Sequence, residues 1–301
     1  MKIGIVGMGS VGASVAISTL QSGVAGELLL NDVRRELAEG EAMDLAHGAA
    51  FYPTARVRAA ELDELASADA VVITAGRAGG PDESRLALLR DNAAIVADIA
   101  GSLRGLRGLL IVVSNPVDVM TQIATEASGL PPERVIGTGT MLDTARLRQV
   151  LGRELGLEPR SIHAQVLGEH GDSEVVLWSS ARIGGISLRH WPGWELAREH
   201  AVAGEVRSAA YEIIQRKGAT NHAIGLVTAA LLRWSLRGER RVLTVTRVQQ
   251  GALGLSDVAL SLPCIVSAAG AVQVLEPEME DGEREALLRC ADILRAARAS
   301  V

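Results

Sequence analysis

Cysteine is scarce in this chain. Its two cysteines, Cys264 and Cys290, are too few for a disulfide framework and lack the paired spacing of a metal site. They read as small buried side chains of a cytoplasmic protein. Long apolar runs are missing as well. The longest, such as Leu109–Val113, break after a few residues, whereas a membrane-spanning helix needs about 20. No cationic start followed by an apolar stretch marks a signal peptide, because Met1-Lys2 leads straight into a short strand-like run. Positive charge is not in excess: the formal net charge is −6, which argues against nucleic acid as the main partner. Lysine is nearly absent, with Lys2 and Lys217 alone, and arginine replaces it; we take this as a base-composition bias without functional meaning. What the chain does have is apolar material. It is 48% hydrophobic and 22% charged, which excludes disorder as its main state. Its 301 residues suffice for one large or two ordinary domains.

The first half alternates short apolar runs with helical patterns. Lys2–Val6, Glu27–Asn31, Ala70–Thr74 and Leu109–Ser114 predict strands, nearly continuous in Val, Ile and Leu as suits a parallel sheet covered on both faces. Ser84–Leu103 carries apolar residues at helical spacing: Leu86, Leu89, Ala93, Val96, Ile99 and Leu103. Repeated strand–helix–strand order implies a doubly wound α/β, Rossmann-type domain. Arg134–Ile136 predicts one more strand, and Thr138-Gly139-Thr140 a hinge. The second half reads as α+β. Helical patterns run through Leu142–Leu155, Gly204–Lys217 and Glu283–Ala299, and strand patterns through Arg241–Val248 and Val258–Pro263. The expected units are therefore 1–137 and 138–301. Trp191-Pro192-Gly193-Trp194 predicts a surface loop, its tryptophans packed locally.

Gly7-Met8-Gly9-Ser10-Val11-Gly12 follows the first strand and opens the first helix. The first glycine permits the turn, the second lets backbone approach a pyrophosphate, and the third lets helix pack on strand. The helix N-terminus then offers N–H donors and a positive dipole to phosphate. Asp32 follows at the end of the second strand, about 20 residues beyond the motif. A carboxylate there accepts ribose hydroxyls and repels a 2′-phosphate, so NAD is expected rather than NADP.

Leu167-Gly168-Glu169-His170-Gly171-Asp172-Ser173 sets a histidine between glycines. Asp143 and Arg146 lie three apart in one helical pattern and so share a face. Ser114-Asn115-Pro116-Val117-Asp118 follows a strand, and Glu83-Ser84-Arg85 follows Ala75-Gly76. With these motifs in this order, essentially the whole chain resembles the L-lactate/malate dehydrogenase family, nearer its bacterial L-lactate branch. The resemblance implies reversible hydride transfer between NADH and a 2-oxo acid, pyruvate first. It implies His170 as acid and base, Asp143 as its partner, Arg146 as the clamp on the substrate carboxylate, and Arg85 as a loop-borne polariser of the carbonyl. It implies Asn115 at both substrate and cofactor, and Val11, Ala75 and Gly76 beside Gly7, Gly9, Gly12 and Asp32 along NAD.

The sequence departs from the family at the residue that selects the substrate. Three places past the Ala75-Gly76 pair, where lactate enzymes carry Gln and malate enzymes Arg, stands Gly79. Malate is disfavoured unless Arg77 swings in, because a buried unpaired carboxylate is costly. Gly79 leaves room for branched or aromatic 2-oxo acids, so a bulky or broad-specificity 2-hydroxy acid dehydrogenase is the second expectation. Thr220, in Lys217-Gly218-Ala219-Thr220, matches the lactate pattern. Asp82 replaces a common hinge glycine, and Gly79-Gly80 supplies other flexibility. Arg148 and His163 stand where the family's bacterial tetramers bind fructose bisphosphate as effector. Such enzymes are commonly symmetric oligomers, and a homotetramer, or else a dimer, is expected. A dinucleotide-binding redox sensor is the non-enzyme alternative, and it would need none of His170, Asp143, Arg146 and Arg85.

Overall fold

The computed structural model describes residues 1–77 and 84–301, without the side chain of Arg85. Gly79 and the Pro81-Asp82-Glu83 segment lie outside the described residues. The N-terminal part runs β1 (Lys2–Val6), α1 (Ser10–Ser22), β2 (Glu27–Asn31), α2 (Arg35–His47), β3 (Arg56–Ala59), β4 (Ala70–Ile73), α3 (Arg85–Ser102), β5 (Leu109–Val112), α4 (Val117–Ser128) and β6 (Val135–Gly137). Its strands pair in parallel, in the order β3-β2-β1-β4-β5-β6. Apolar residues at every position of β4 and β5 are explained by this arrangement. Ala70, Val72, Leu109 and Ile111 face the core under α1, α2 and α7 (His222–Leu236), while Val71, Ile73, Leu110 and Val112 face the core under α3, α4 and α8 (Asp281–Ala299). Period-2 alternation thus distributes one apolar run between two cores.

The chain then continues through α5 (Met141–Leu155), β7 (Ile162–His163), β8 (Val166–Leu167), β9 (Val175–Val176), β10 (Arg182–Ile183), β11 (Ile186–Ser187) and α6 (Ala197–Lys217), and after α7 through β12 (Arg241–Gln250), β13 (Ser256–Ser267) and β14 (Gly270–Val274) to α8. The antiparallel strands β12 to β14 extend the parallel sheet beyond β6, giving nine strands in one sheet. A third core joins α5 and α6 to the short strands, and Trp194 is buried there against Trp178, their rings 6.2 Å apart. The Trp191–Trp194 loop is therefore held by local packing.

Two expectations are corrected. The helix expected from Gly204 begins seven residues earlier, at Ala197, because α6 buries only Val202 and Val206 and so shows a faint apolar stripe. The segment Thr138-Gly139-Thr140 is a locked crossing and not a hinge. Thr138 and Thr140 are buried; the Thr140 N–H donates to Ser261 Oγ (3.0 Å) and its hydroxyl to the Val166 carbonyl (2.5 Å).

Candidate active site

Chain order reverses between β1 and β4, and the loops leaving their C-terminal ends diverge there, which is where open α/β sheets bind ligands. The loop after β1 is the glycine motif. Gly7 has φ +97°, and a side chain there would meet the backbone of Ala75 at 2.6 Å. A Cβ on Gly12 would sit 1.9 Å from the Gly7 carbonyl oxygen, so α1 approaches the turn closely only without one. Gly9 caps α1 and faces open space, with nothing within 4 Å of a Cβ built on it. Thr74 fixes the turn by donating its hydroxyl to the Gly7 carbonyl (2.6 Å). Asp32 accepts from the Met8 N–H (2.7 Å) and the Arg34 N–H (2.9 Å), which ties the acid to the glycine turn. Val33 beside it is fully exposed. Val11 is half-buried on the first turn of α1. This cradle fits a dinucleotide: bare backbone at a helix N-terminus for the pyrophosphate, and a carboxylate anchored to the same turn that can accept ribose hydroxyls.

Across the crevice, Ser114 donates to the Ala75 carbonyl (2.5 Å). Asn92 of α3 accepts from the Arg77 N–H (2.9 Å) and packs under Gly76. Asn115 is exposed at the end of β5, ahead of a cis Asn115–Pro116 peptide. Arg77 pairs with Asp91, its Nε 2.8 Å from the carboxylate. Arg85 opens α3, with Ser84 as its N-cap accepting from the Ala87 N–H.

The catalytic candidates converge. Asp143 on the first turn of α5 is buried and divides its two oxygens: Oδ2 lies 2.5 Å from His170 Nδ1, and Oδ1 accepts from Arg146 Nη1 at 2.7 Å. The carboxylate only accepts, so Nδ1 carries the proton and Nε2 is left to other chemistry. Arg146 makes no other hydrogen bond among the described residues. Burial alone pulls the His170 pKa down, but the charge and hydrogen bond of Asp143, with help from Asp118, outweigh it, and the net shift is upward.

A layer beneath this cluster was not foreseen. Asp118 on α4 accepts from the His170 backbone N–H (2.8 Å) and from the Thr246 hydroxyl (2.5 Å). Thr246 in turn meets Ser261, which receives the Thr140 N–H. The histidine loop is thus anchored to α4, β12, β13 and the start of α5 at once. Burial pushes the Asp118 pKa up to about 6, against the pull of these hydrogen bonds. The only sequence signal was a carboxylate in the first turn of an apolar helix. Cys290 lies behind the loop and accepts from the Glu169 N–H (3.0 Å); burial pushes its pKa up to about 11, so it stays a thiol.

Thr220 lies at the α6–α7 junction, next to Asn221, which donates to Ser14 of α1 (2.9 Å). Arg148 donates to the Ala164 carbonyl (3.0 Å), one residue from exposed His163 on β7, which pairs with Arg182 of β10.

A dinucleotide cradle at the switch point and an imidazole–carboxylate–guanidinium cluster define a nicotinamide-dependent oxidoreductase that couples hydride and proton transfer. Family models agree over nearly the whole chain. Residues 1–137 match the lactate/malate dehydrogenase NAD binding domain, and residues 140–301 match the lactate/malate dehydrogenase alpha/beta C-terminal domain. The chain belongs to the lactate/malate dehydrogenase family and is an NAD-dependent enzyme. It is 45% identical to the L-lactate dehydrogenase of Salinibacter ruber, covering 99% of this chain and 97% of that one. It is 44% identical to the L-lactate dehydrogenase of Thermus aquaticus, covering 99% and 98%. Among solved structures, the ligand-bound minor L-lactate dehydrogenase of Enterococcus mundtii superposes with a TM-score of 0.97 at 38% identity, over 100% of this chain and 98% of that one.

The cradle carries a direct test. Replacing Gly12 by Ala forces the α1 approach apart, a strain of about 1–3 kcal/mol. The NADH dissociation constant, read by fluorescence titration, is expected to rise roughly 10- to 100-fold. An unchanged constant would remove Gly12 from the cofactor site.

Proposed function

We propose that the protein is an L-lactate dehydrogenase, interconverting pyruvate and L-lactate. The observation that carries this reading is Asp143 holding His170 and Arg146 together. Arg146 takes the carboxylate of the 2-oxo acid through its remaining N–H donors, in a two-pronged ion pair. His170, protonated and held through Nδ1, gives the Nε2 proton to the keto oxygen; in reverse it takes the hydroxyl proton. Asp143 keeps the tautomer and favours the imidazolium. NADH bound in the cradle supplies the hydride. The family resemblance assigns Arg85 to the charge on the carbonyl oxygen, Asn115 to the position of that oxygen, and Thr220 and Gly79 to selection of the substrate's distal group.

The same reading divides the chain into a cofactor unit, 1–137, and a substrate unit, 138–301. Arg148 and His163 together form the site for a phosphate effector such as fructose bisphosphate. The exposed apolar residues Met43 and Phe51 around α2 and Tyr211, Ile213 and Ile214 on α6 suit a symmetric homo-oligomer, a tetramer, working in the cytoplasm. Among the described residues, no helix is long and apolar enough to cross a membrane.

Gly79 supports a second reading, a 2-hydroxy acid dehydrogenase for bulky or varied side chains. The Arg77–Asp91 pair weighs against malate, because Arg77 is already engaged. NADH oxidation against pyruvate, oxaloacetate, branched and aromatic 2-oxo acids, with and without fructose bisphosphate, separates these readings. Pyruvate is expected to lead, and Gly79→Gln to raise its preference over larger acids several-fold. Preference for a larger acid would replace lactate by the second reading. No turnover of any acid, with NADH still bound, would leave a redox sensor.

A further inference from the structure

Glu174 lies four residues past His170, just ahead of β9, and nothing in the reaction outlined above uses it. Its backbone N–H donates to the Gly171 carbonyl (3.2 Å), which folds the segment back toward the histidine. The residue is only 5% exposed, and its Oε1 is fully buried with no hydrogen-bond partner. An ionised carboxylate in that condition is costly, whereas a neutral acid is tolerable. The charged groups that act on it are Asp143 and Arg146 of α5, Arg207 of α6, and His170 itself. On the α8 side stands the neutral Cys290 thiol, reached through Ser173, and Glu169 turns back onto the same loop by accepting from the Ser173 hydroxyl (2.5 Å). One anion, Asp143, already occupies the space between His170 and Arg146.

We infer that Glu174 is a positioning residue that must stay a neutral acid for the site to hold an anionic substrate, and that it weakens binding of the 2-oxo acid when it ionises. The inference rests on the proposed binding of a substrate carboxylate by Arg146. Burial pushes the Glu174 pKa up to about 8, with the Asp143 charge adding to the effect. Below that pH, Arg146 is shared between Asp143 and the substrate alone. Above it, a second buried carboxylate adds its charge to that of Asp143 and opposes the incoming carboxylate. Arg207, exposed on α6, offsets this charge only partly, because water screens it. The device acts on binding and leaves the proton donor, His170, in place.

The test compares the KM for pyruvate at pH 7 and pH 9 in wild type, Glu174→Gln and Glu174→Met, neither variant having a proton to lose. His170 deprotonation raises KM with pH in all three. The wild-type ratio of the two KM values is expected to exceed the variants' ratio by on the order of tenfold, as a unit charge at short range in a partly shielded site implies. Thermal midpoints give a readout independent of turnover. A carboxyl whose folded pKa is raised stabilises the fold fully below its unfolded value and loses that contribution as pH climbs toward about 8. Wild type should therefore lose more stability than Glu174→Gln between pH 5 and pH 9. Equal KM ratios overturn the inference even where the thermal profiles differ. Parallel thermal profiles overturn the neutral acid itself. Should another 2-oxo acid prove the better substrate, it takes pyruvate's place, and the outcome bears on Glu174 alone.

Discussion

Replacing His170 by Gln should lower kcat/KM for pyruvate by about 10³- to 10⁴-fold while leaving the NADH dissociation constant within twofold of wild type, since general acid–base catalysis contributes on this scale. The glutamine amide can donate a hydrogen bond but is far too weak an acid to give up a proton at neutral pH. Its backbone N–H still reaches Asp118, so the loop keeps its anchor on α4. The cradle at Gly7, Gly9 and Gly12 is built from other segments and does not sense the change. Wild type also carries a pH signature. Because the net shift of the His170 pKa is upward, the imidazolium persists to higher pH than a free histidine would allow. Reduction of the keto acid should hold a plateau below that pKa and fall above it, while oxidation of the hydroxy acid shows the reverse. Stopped-flow rates with saturating NADH measure both limbs. Residual turnover within tenfold of wild type in the variant would take the proton away from His170.

Much of the cofactor half was legible because its signals are local. A buried parallel strand reads as an uninterrupted apolar run, and the glycine turn needs the absence of a side chain at Gly7 and Gly12 and leaves bare backbone facing open space at Gly9. Asp32 could be placed by spacing alone, and Asp143 with Arg146 by helical periodicity. The second half was less legible for the opposite reason. Strands β7 to β11 have two residues each, too short for any alternation to show. The face of α6 that packs is narrow, so its first turns left no stripe. Asp118, Thr246 and Ser261 are far apart in sequence and meet only through the joining of β12 and β13 to the parallel sheet. Glu174 gave no warning either, because an acid in a loop looks solvated until the packing of α5 and α6 shows otherwise. The substrate-selecting residue is the reverse case: sequence names Gly79, and the described structure adds the Arg77–Asp91 pair beside it.

Arg146→Lys is the sharpest test of the substrate clamp. A lysine keeps the charge but not the planar fork, so it can serve Asp143 or the substrate carboxylate as a point charge and not both in fixed geometry. The Arg146 side chain is 14% exposed and spends one nitrogen on Asp143. Its other donors are the ones a carboxylate would take. Losing one side of a desolvated ion pair costs about 2–5 kcal/mol, which corresponds to roughly 30- to 5,000-fold in kcat/KM. The loss should fall mainly on KM, since Asp143 still holds His170 and the proton donor remains. It should also be specific: NADH binding is expected to be unaffected, because the polar partner of Arg146 among the described residues is Asp143 and not a cradle residue. An equal fall in kcat with KM unchanged would instead make Arg146 a partner of the transition state alone. A KM close to wild type, with kcat intact, would show that the carboxylate is held elsewhere, and the Asp143–Arg146 pair would then be a brace for the histidine.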